Sequence, residues 1–347
     1  MTSKNGKTRP LPRISLRLHG MLTARRCVEL AIAADRSGFS TAWFAENAFA
    51  RGVLPAAAAC AVATSRLRIG AGVFNPFSRH PTMMAMEIGA LDELSDGRAM
   101  LGIGAGIGSS VQKIGSSSDK PVVAVRDTLA ILQPLLRGEK VTYTGKAFSV
   151  RDVKLGYATR GDVPIFVAGR GDLTLKLTGE SADGLLISNM CSLEFGRRSA
   201  AKVMDSRKAA GRDGLARVVQ YMPCAVHRDR DEAQRIGKRA VGEMMPNYWG
   251  LSQQIPSAKE ALFAGTDISE SEFEAATLRI KAGDDAADVL SEKFTQAYSL
   301  TGTPDECIAR AMDYADAGID ELALTFDGTA ATRDIALLGD ALKHHLQ

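Results

Sequence analysis

Residues 66–106 read RLRIGAGVFNPFSRHPTMMAMEIGALDELSDGRAMLGIGAG. Two strand-like runs, RLRIGAGVF and RAMLGIGAG, each close on glycines, and between them lie the turn NPFSRHP and an amphipathic helix. A strand that stops on Gly-x-Gly lets a flat or phosphorylated ligand approach its backbone with no Cβ in the way. Two such ends one crossover apart are expected to line a single cavity.

Outward from this block, strand-like runs recur with helical patterns between them. They are ISLRL (14–18), STAWFAE (40–46), LRIGAGVF (67–74), AMLGIG (99–104), PIFVAG (164–169), GLLISNM (184–190), VVQYMPCAV (218–226) and ELALTF (321–326). Strands that alternate with helices of ten or more residues imply right-handed crossovers and a parallel sheet, and eight β units fit closure into a barrel. The chain is therefore read as α/β, one (β/α)8 TIM barrel over residues 13–347, behind a flexible basic tail at 1–12. Two segments exceed a standard strand-helix unit: 139–162, read as a short polar excursion or hairpin, and 246–300, a long insertion expected to contribute to a substrate pocket.

Helix ends are written locally. TARRCVELAIAADRSG starts at Thr23 and stops at Gly38, and the helix from Pro81 stops at Gly97 in the left-handed C′ position. TPDECIARAMDYADAG carries Thr303 as N-cap, Pro304 at N1, Glu306 at N3 and Gly318 at its end. These are scaffold signals.

Composition removes several classes of function. The 347 residues are 45% hydrophobic and 24% charged with a net charge of +3, an ordinary globular balance without a basic footprint for nucleic acid. No run approaches the roughly 18–20 apolar residues of a membrane span, and the basic opening lacks the apolar stretch of a secretory signal. A cytoplasmic protein is expected. The five cysteines lack CxxC or Cys/His clustering and the five histidines lack ligand spacing, so neither a disulfide framework nor a catalytic metal is expected.

Chemistry in a parallel barrel gathers at the C-terminal strand ends. Glu46 and Asn47 follow an apolar strand, where a carboxylate beside an amide orients a ring carbonyl or passes a proton; the plain alternative is capping of the next segment. Arg17 and His19 end the first strand, where they face either an anionic substrate or solvent. Gly169, Arg170 and Gly171 sit between a buried strand and a helix, a phosphate clamp in one reading and a tight βα turn in the other. GIGAG at 102–106 follows a strand but lacks the sixth-position glycine and the later acidic residue of a dinucleotide fingerprint. His80 before Pro81 reads as a helix start or a cofactor contact, and MMAM at 83–86 as packing against the barrel.

GFSTAWFAEN, LRIGAGVFNPFSRHP, ALDELSDGRAMLGIGAG, VAGRGDLTLKLTGESADG and TGTPDECIARAMDYADAGID together resemble the luciferase-like superfamily of flavin and deazaflavin oxidoreductases, nearest to coenzyme F420-dependent methylenetetrahydromethanopterin reductases. The resemblance implies a (β/α)8 barrel, usually dimeric, that binds F420, or alternatively FMN, at its C-terminal mouth. It implies a cis peptide between Gly72 and Val73 in a bulge behind the ring, with Asn75 in the same strand end. Gly104 and Gly106 resemble the strand end beneath the ring, Gly169 to Gly171 the phosphate-binding turn, and Asn189 a substrate-facing position. Many F420-type members have histidine where this chain has Asn47, and archaeal reductases have a carboxylate near Arg17. The implied activity is hydride transfer between the deazaflavin and a small organic substrate. An FMN-dependent monooxygenase is the alternative, and a non-catalytic flavin-binding barrel is the second.

Overall fold

A computed structural model describes residues 10–116 and 119–345. Residues 1–9 of the expected tail lie outside the described residues. The first half of the chain runs β1 (Arg13–His19), α1 (Ala24–Arg36), β2 (Thr41–Ala45), α2 (Val53–Ala63), β3 (Arg68–Phe74), α3 (Pro81–Leu94), β4 (Ala99–Ile103), α4 (Gly108–Lys113) and α5 (Pro121–Leu136). Next come β5 (Val141–Thr144), β6 (Ser149–Val153), β7 (Ile165–Ala168), α6 (Asp172–Ser181), β8 (Gly184–Ile187), α7 (Leu193–Ala209), β9 (Arg217–Val226) and α8 (Arg230–Ser252). The chain ends with α9 (Pro256–Phe263), α10 (Glu270–Lys281), α11 (Ala286–Val289), α12 (Glu292–Tyr298), β10 (Leu300–Gly302), α13 (Pro304–Asp316), β11 (Glu321–Thr325) and α14 (Ala331–His345).

Strands β1, β2, β3, β4, β7, β8, β9 and β11 pair in parallel, and β9 bonds to both β8 and β11, so the sheet closes on itself. This is the (β/α)8 barrel, built from the eight runs read in the sequence. Segment 139–162 holds the antiparallel hairpin β5–β6. Asp127 anchors it, accepting from the backbone N–H of Ala147 and Phe148 and from the Tyr143 hydroxyl.

The capping signals of α1 and α13 act as written. Thr303 and Glu306 form a reciprocal capping box, and Gly38 and Gly318 have φ of +81° and +90°. At α3 the C-cap is Ser95, so Asp96 is the first left-handed residue and Gly97 follows it, one place later than expected. His80 is the N-cap of α3, its Nδ1 accepting from the Thr82 N–H. The MMAM motif divides: Met84 is buried, whereas Met83 and Met86 face outward, because a 3.6-residue period cannot turn four consecutive residues to one side.

Two apolar layers carry the fold. One lies between strands and helices; the other fills the barrel with Trp43, Met100, Phe166, Leu186, Val219, Tyr221 and Ala323. Trp43 sets that interior. Its ring meets Phe166 edge-on at 5.3 Å, and its Nε1 donates to Glu321 Oε1 at 2.7 Å, which also accepts from Ser15 Oγ at 2.7 Å. A buried carboxylate is tolerated where donors satisfy it. Gly70, on the neighbouring strand, leaves the space the indole fills. A third apolar cluster, around Phe273, Phe294, Tyr298 and Met245, gives the helical insertion its own core and touches the barrel at Met190, just after β8.

Candidate functional site

The ends of β3 and β4 are stitched together by glycine. The pairing of β3 with β4 shifts register between Ala71 and Phe74, and the Gly72–Val73 peptide is cis, as the resemblance implied. Gly104 N donates to Phe74 O across the bulge at 3.0 Å. A Cβ at Gly72 would lie 2.8 Å from Gly102 Cα, and one at Gly104 would lie 2.6 Å from Val73 Cγ1. The volume freed by these glycines is therefore filled by protein: they permit backbone contact between strands, and the wall offered outward is made by Val73, Asn75 and Gly106. Gly106 needs its glycine twice over, for φ of +70° and for the Asn75 amide that occupies the side-chain position. Asn75 in turn holds its loop by accepting from Phe77 N at 2.9 Å.

Glu46, Asn47, Val73, Asn75 and Gly106 line one cleft of about 380 Å³ with Ile107. Arg79 reaches Glu46 Oε1 at 2.8 Å and Glu87 Oε2 at 2.9 Å, with its guanidinium 4.0 Å from the Phe74 ring centroid. Asn47 Oδ1 accepts from Gly20 N at 3.0 Å, tying the β2 end to the β1 end. A second, largely apolar cleft of about 320 Å³ adjoins through Arg51 and Gly52, and His19 lines it.

The opposite half of the mouth is polar. Arg17 donates to Thr325 Oγ1 at 3.1 Å, and its guanidinium stands 5.2 Å from the Tyr221 ring centroid. His19 Nε2 is 3.5 Å from Asp327. Burial, reinforced by Asp327 and offset by His19, pushes the Glu243 carboxyl on α8 above its usual range. Arg170 turns from the β7 end toward Ser188 Oγ and lies 5.6 Å from the Tyr248 ring, which the C-terminal part of α8 supplies. Gly171 caps α6 with open space around it, while a Cβ at Gly169 would run into Thr174. Asn189 is buried after β8.

Both halves therefore draw on the C-terminal strand ends, but through different neighbours. Glu46, Asn47, Val73, Asn75 and Gly106 share one cleft; Gly72 and Gly104 underlie its wall; Arg17 with His19, and Arg170 with Asn189, lie outside that cleft's lining. The sequence reading missed Arg79, Tyr221, Glu243, Tyr248 and Asp327. Tyr221 had a signal: on β9 it has the alternate-residue parity of the inward-facing Val219. Among the described residues no group of three or more His, Cys, Asp or Glu is disposed to hold a metal ion, and no helix is long and apolar enough to cross a membrane.

Residues 10–321 match the sequence model of a family described as luciferase-like monooxygenase. The chain is 30% identical over 294 residues to a 5,10-methylenetetrahydromethanopterin reductase of Archaeoglobus fulgidus, covering 83% of this chain and 86% of the relative. It is 29% identical over 297 residues to the protein of the same name from Methanolobus tindarius, with the same two coverages, 83% and 86%. The structure of the coenzyme F420-dependent tetrahydromethanopterin reductase from Methanopyrus kandleri superposes with a TM-score of 0.83 at 23% identity, covering 97% of this chain and 100% of that one.

Proposed function

Because the chain belongs to the luciferase-like monooxygenase family and is an oxidoreductase, we propose that it uses coenzyme F420 to move a hydride to or from a carbon of a small organic substrate. The observation that carries this is the 30% identity, across most of the chain, to a 5,10-methylenetetrahydromethanopterin reductase, beside the fold shared with a coenzyme F420-dependent tetrahydromethanopterin reductase. The residues present suit a planar ligand with an anionic tail. Buried Arg170 Nε and Asn189 Oδ1 have no hydrogen-bond partner among the described residues, and the open Gly171 turn leads into the N-terminus of α6.

When bound, the deazaflavin supplies the carbon that accepts or gives hydride. Val73, Asn75 and Gly106 would form the wall for its ring, with Gly72 and Gly104 behind them. Gly169, Arg170 and Gly171 would hold its phosphate, where a fixed cation and helix-end amides favour negative charge. Glu46, clamped by Arg79, would orient ring or substrate. Asn47 contributes an amide that does not ionise near neutral pH and whose oxygen is engaged with Gly20 N. Arg17, His19 and Asn189 would face the substrate. The protein's share of catalysis is then orientation and exclusion of water rather than a covalent step.

This reading takes the enzyme to be a cytoplasmic homodimer. Support for a dimer comes from α2, which is apolar on all sides, and from exposed Val62, Met83, Met86 and Leu94 on α2 and α3.

The family's description supports a second reading, a monooxygenase, which would use FMN at the same mouth. Titration of the purified protein with F420 and with FMN, followed by absorbance, separates the two. Saturable F420 binding without oxygen uptake is expected; tight FMN binding with oxygen uptake and no F420 binding would overturn the proposal.

A further inference from the structure

Four buried polar atoms without partners among the described residues belong to residues at or near the mouth on β1, β9, and the segments after β7 and β8: Arg17 Nε, the Tyr221 hydroxyl, Arg170 Nε and Asn189 Oδ1. Folded proteins rarely leave such atoms unpaired unless a ligand or water completes them. Arg170 was placed against the cofactor's phosphate, and Arg17 and Asn189 toward the substrate. Tyr221 has no role so far, and it stands beside Arg17.

We propose that Arg17 and Tyr221 form a subsite for a carboxylate of the substrate, which makes the substrate a small organic acid; this rests on the F420-dependent reading. Arg17 comes from β1 and Tyr221 from β9, two strands separated in the barrel only by β11. The guanidinium lies 5.2 Å from the phenol ring and is held from the β11 side by Thr325 Oγ1 at 3.1 Å. Tyr221 is 5% exposed, its ring packed at 6.3 Å from Trp43, so its hydroxyl cannot turn freely to solvent.

The charge balance selects the ligand. Among the described residues Arg17 has no carboxylate partner: Glu321 accepts from Ser15 and Trp43 lower in the barrel, and Asp327 faces His19. Burial raises the Tyr221 hydroxyl above the normal phenol range, with only partial offset from Arg17, so at neutral pH it is a donor. A fixed cation beside a neutral O–H donor matches a carboxylate, which accepts from both, better than a cation or an amide.

Calorimetric titration with acetate, and with acetamide as its neutral counterpart, tests this on the wild-type protein and on Arg17→Gln, Arg17→Lys and Tyr221→Phe, each checked for folding by circular dichroism. Saturable acetate binding is expected, weakened at least about tenfold in R17Q and about threefold in Y221F, with R17K in between. Acetamide binding as tight as acetate, acetate binding indifferent to these substitutions, or no saturable acetate binding would overturn the subsite. F420 titration of the same proteins keeps the two readings apart. F420 binding without Arg17-dependent acetate binding removes only the subsite, whereas acetate binding without F420 binding removes the cofactor reading and leaves the carboxylate pocket.

Discussion

Arg79 stands between two carboxylates, 2.8 Å from Glu46 and 2.9 Å from Glu87, with its guanidinium face on Phe74. The three partners come from the segment after β2, from α3 and from the end of β3, so one side chain braces a whole flank of the cleft. Its side chain is 20% exposed, and the pair is therefore less screened than a surface ion pair. Arg79→Gln is expected to destabilise the protein by about 1–2 kcal/mol, since it leaves two half-buried carboxylates without their cation. It is also expected to reduce F420-dependent turnover more than Arg79→Lys does. Urea denaturation and steady-state kinetics on both variants check this; a Glu46 with no part in orientation would leave turnover unchanged in each.

Gly70→Ala brings a methyl group into the Trp43 ring inside the barrel. Overpacking of this kind costs about 1–3 kcal/mol, and relief by Trp43→Phe in the same chain should recover part of it. Denaturation midpoints of the two single variants and the double variant decide the matter. A purely additive result would mean that the glycine is not there for the indole.

Gly106→Ala tests the cleft wall. A side chain at φ of +70° costs roughly 1–2 kcal/mol, and the Asn75 amide must also give way. The expected outcome is weaker F420 binding in absorbance titrations, with the fold retained by circular dichroism.

Burial lowers the His80 imidazole below its usual range, while its Nδ1 accepts from the Thr82 amide as cap of α3. A histidine whose folded-state value is depressed binds a proton more readily when unfolded. Its stabilising contribution is present above the unfolded value, about 6.5, and is lost as pH falls through the lower folded value. His80→Asn keeps a cap and removes the titration. Thermal midpoints measured from pH 7.5 down to pH 5 should fall more for the wild type than for this variant.

The outward face of α2 and α3 predicts the assembly. Met83→Glu with Met86→Glu places charge at two side chains that are 46% and 49% exposed in a single chain. Light scattering should show a dimer for the wild type and a monomer for the double variant, with little loss of secondary structure; a dimer that persists would assign the interface elsewhere.

Much of the fold is legible along the chain because its causes are local. Apolar runs between turn residues, Thr303 with Glu306, Gly38 and Gly318 act within a few residues, so the eight barrel strands and several helix ends could be read directly, the end of α3 to within one residue. The site was legible only in outline. Glu46, Asn75 and Gly106 were recognisable as strand-end residues, but nothing near Arg79 in the sequence points to Glu46, 33 positions away.

What the amino-acid order determined on its own was the number of β units, their alternation with helices and the residues that end them, since backbone propensity, capping and hydrophobic period need no distant partner. Closure of the barrel decided the rest. It filled the space beside Gly72 and Gly104 with neighbouring strand, split the mouth into a cleft beside Glu46 and a polar half beside Arg17, and set Tyr221 against a guanidinium from the first strand. Contacts of that range depend on strand register and on which side chains face inward together, quantities that exist only once β9 has bonded to both β8 and β11.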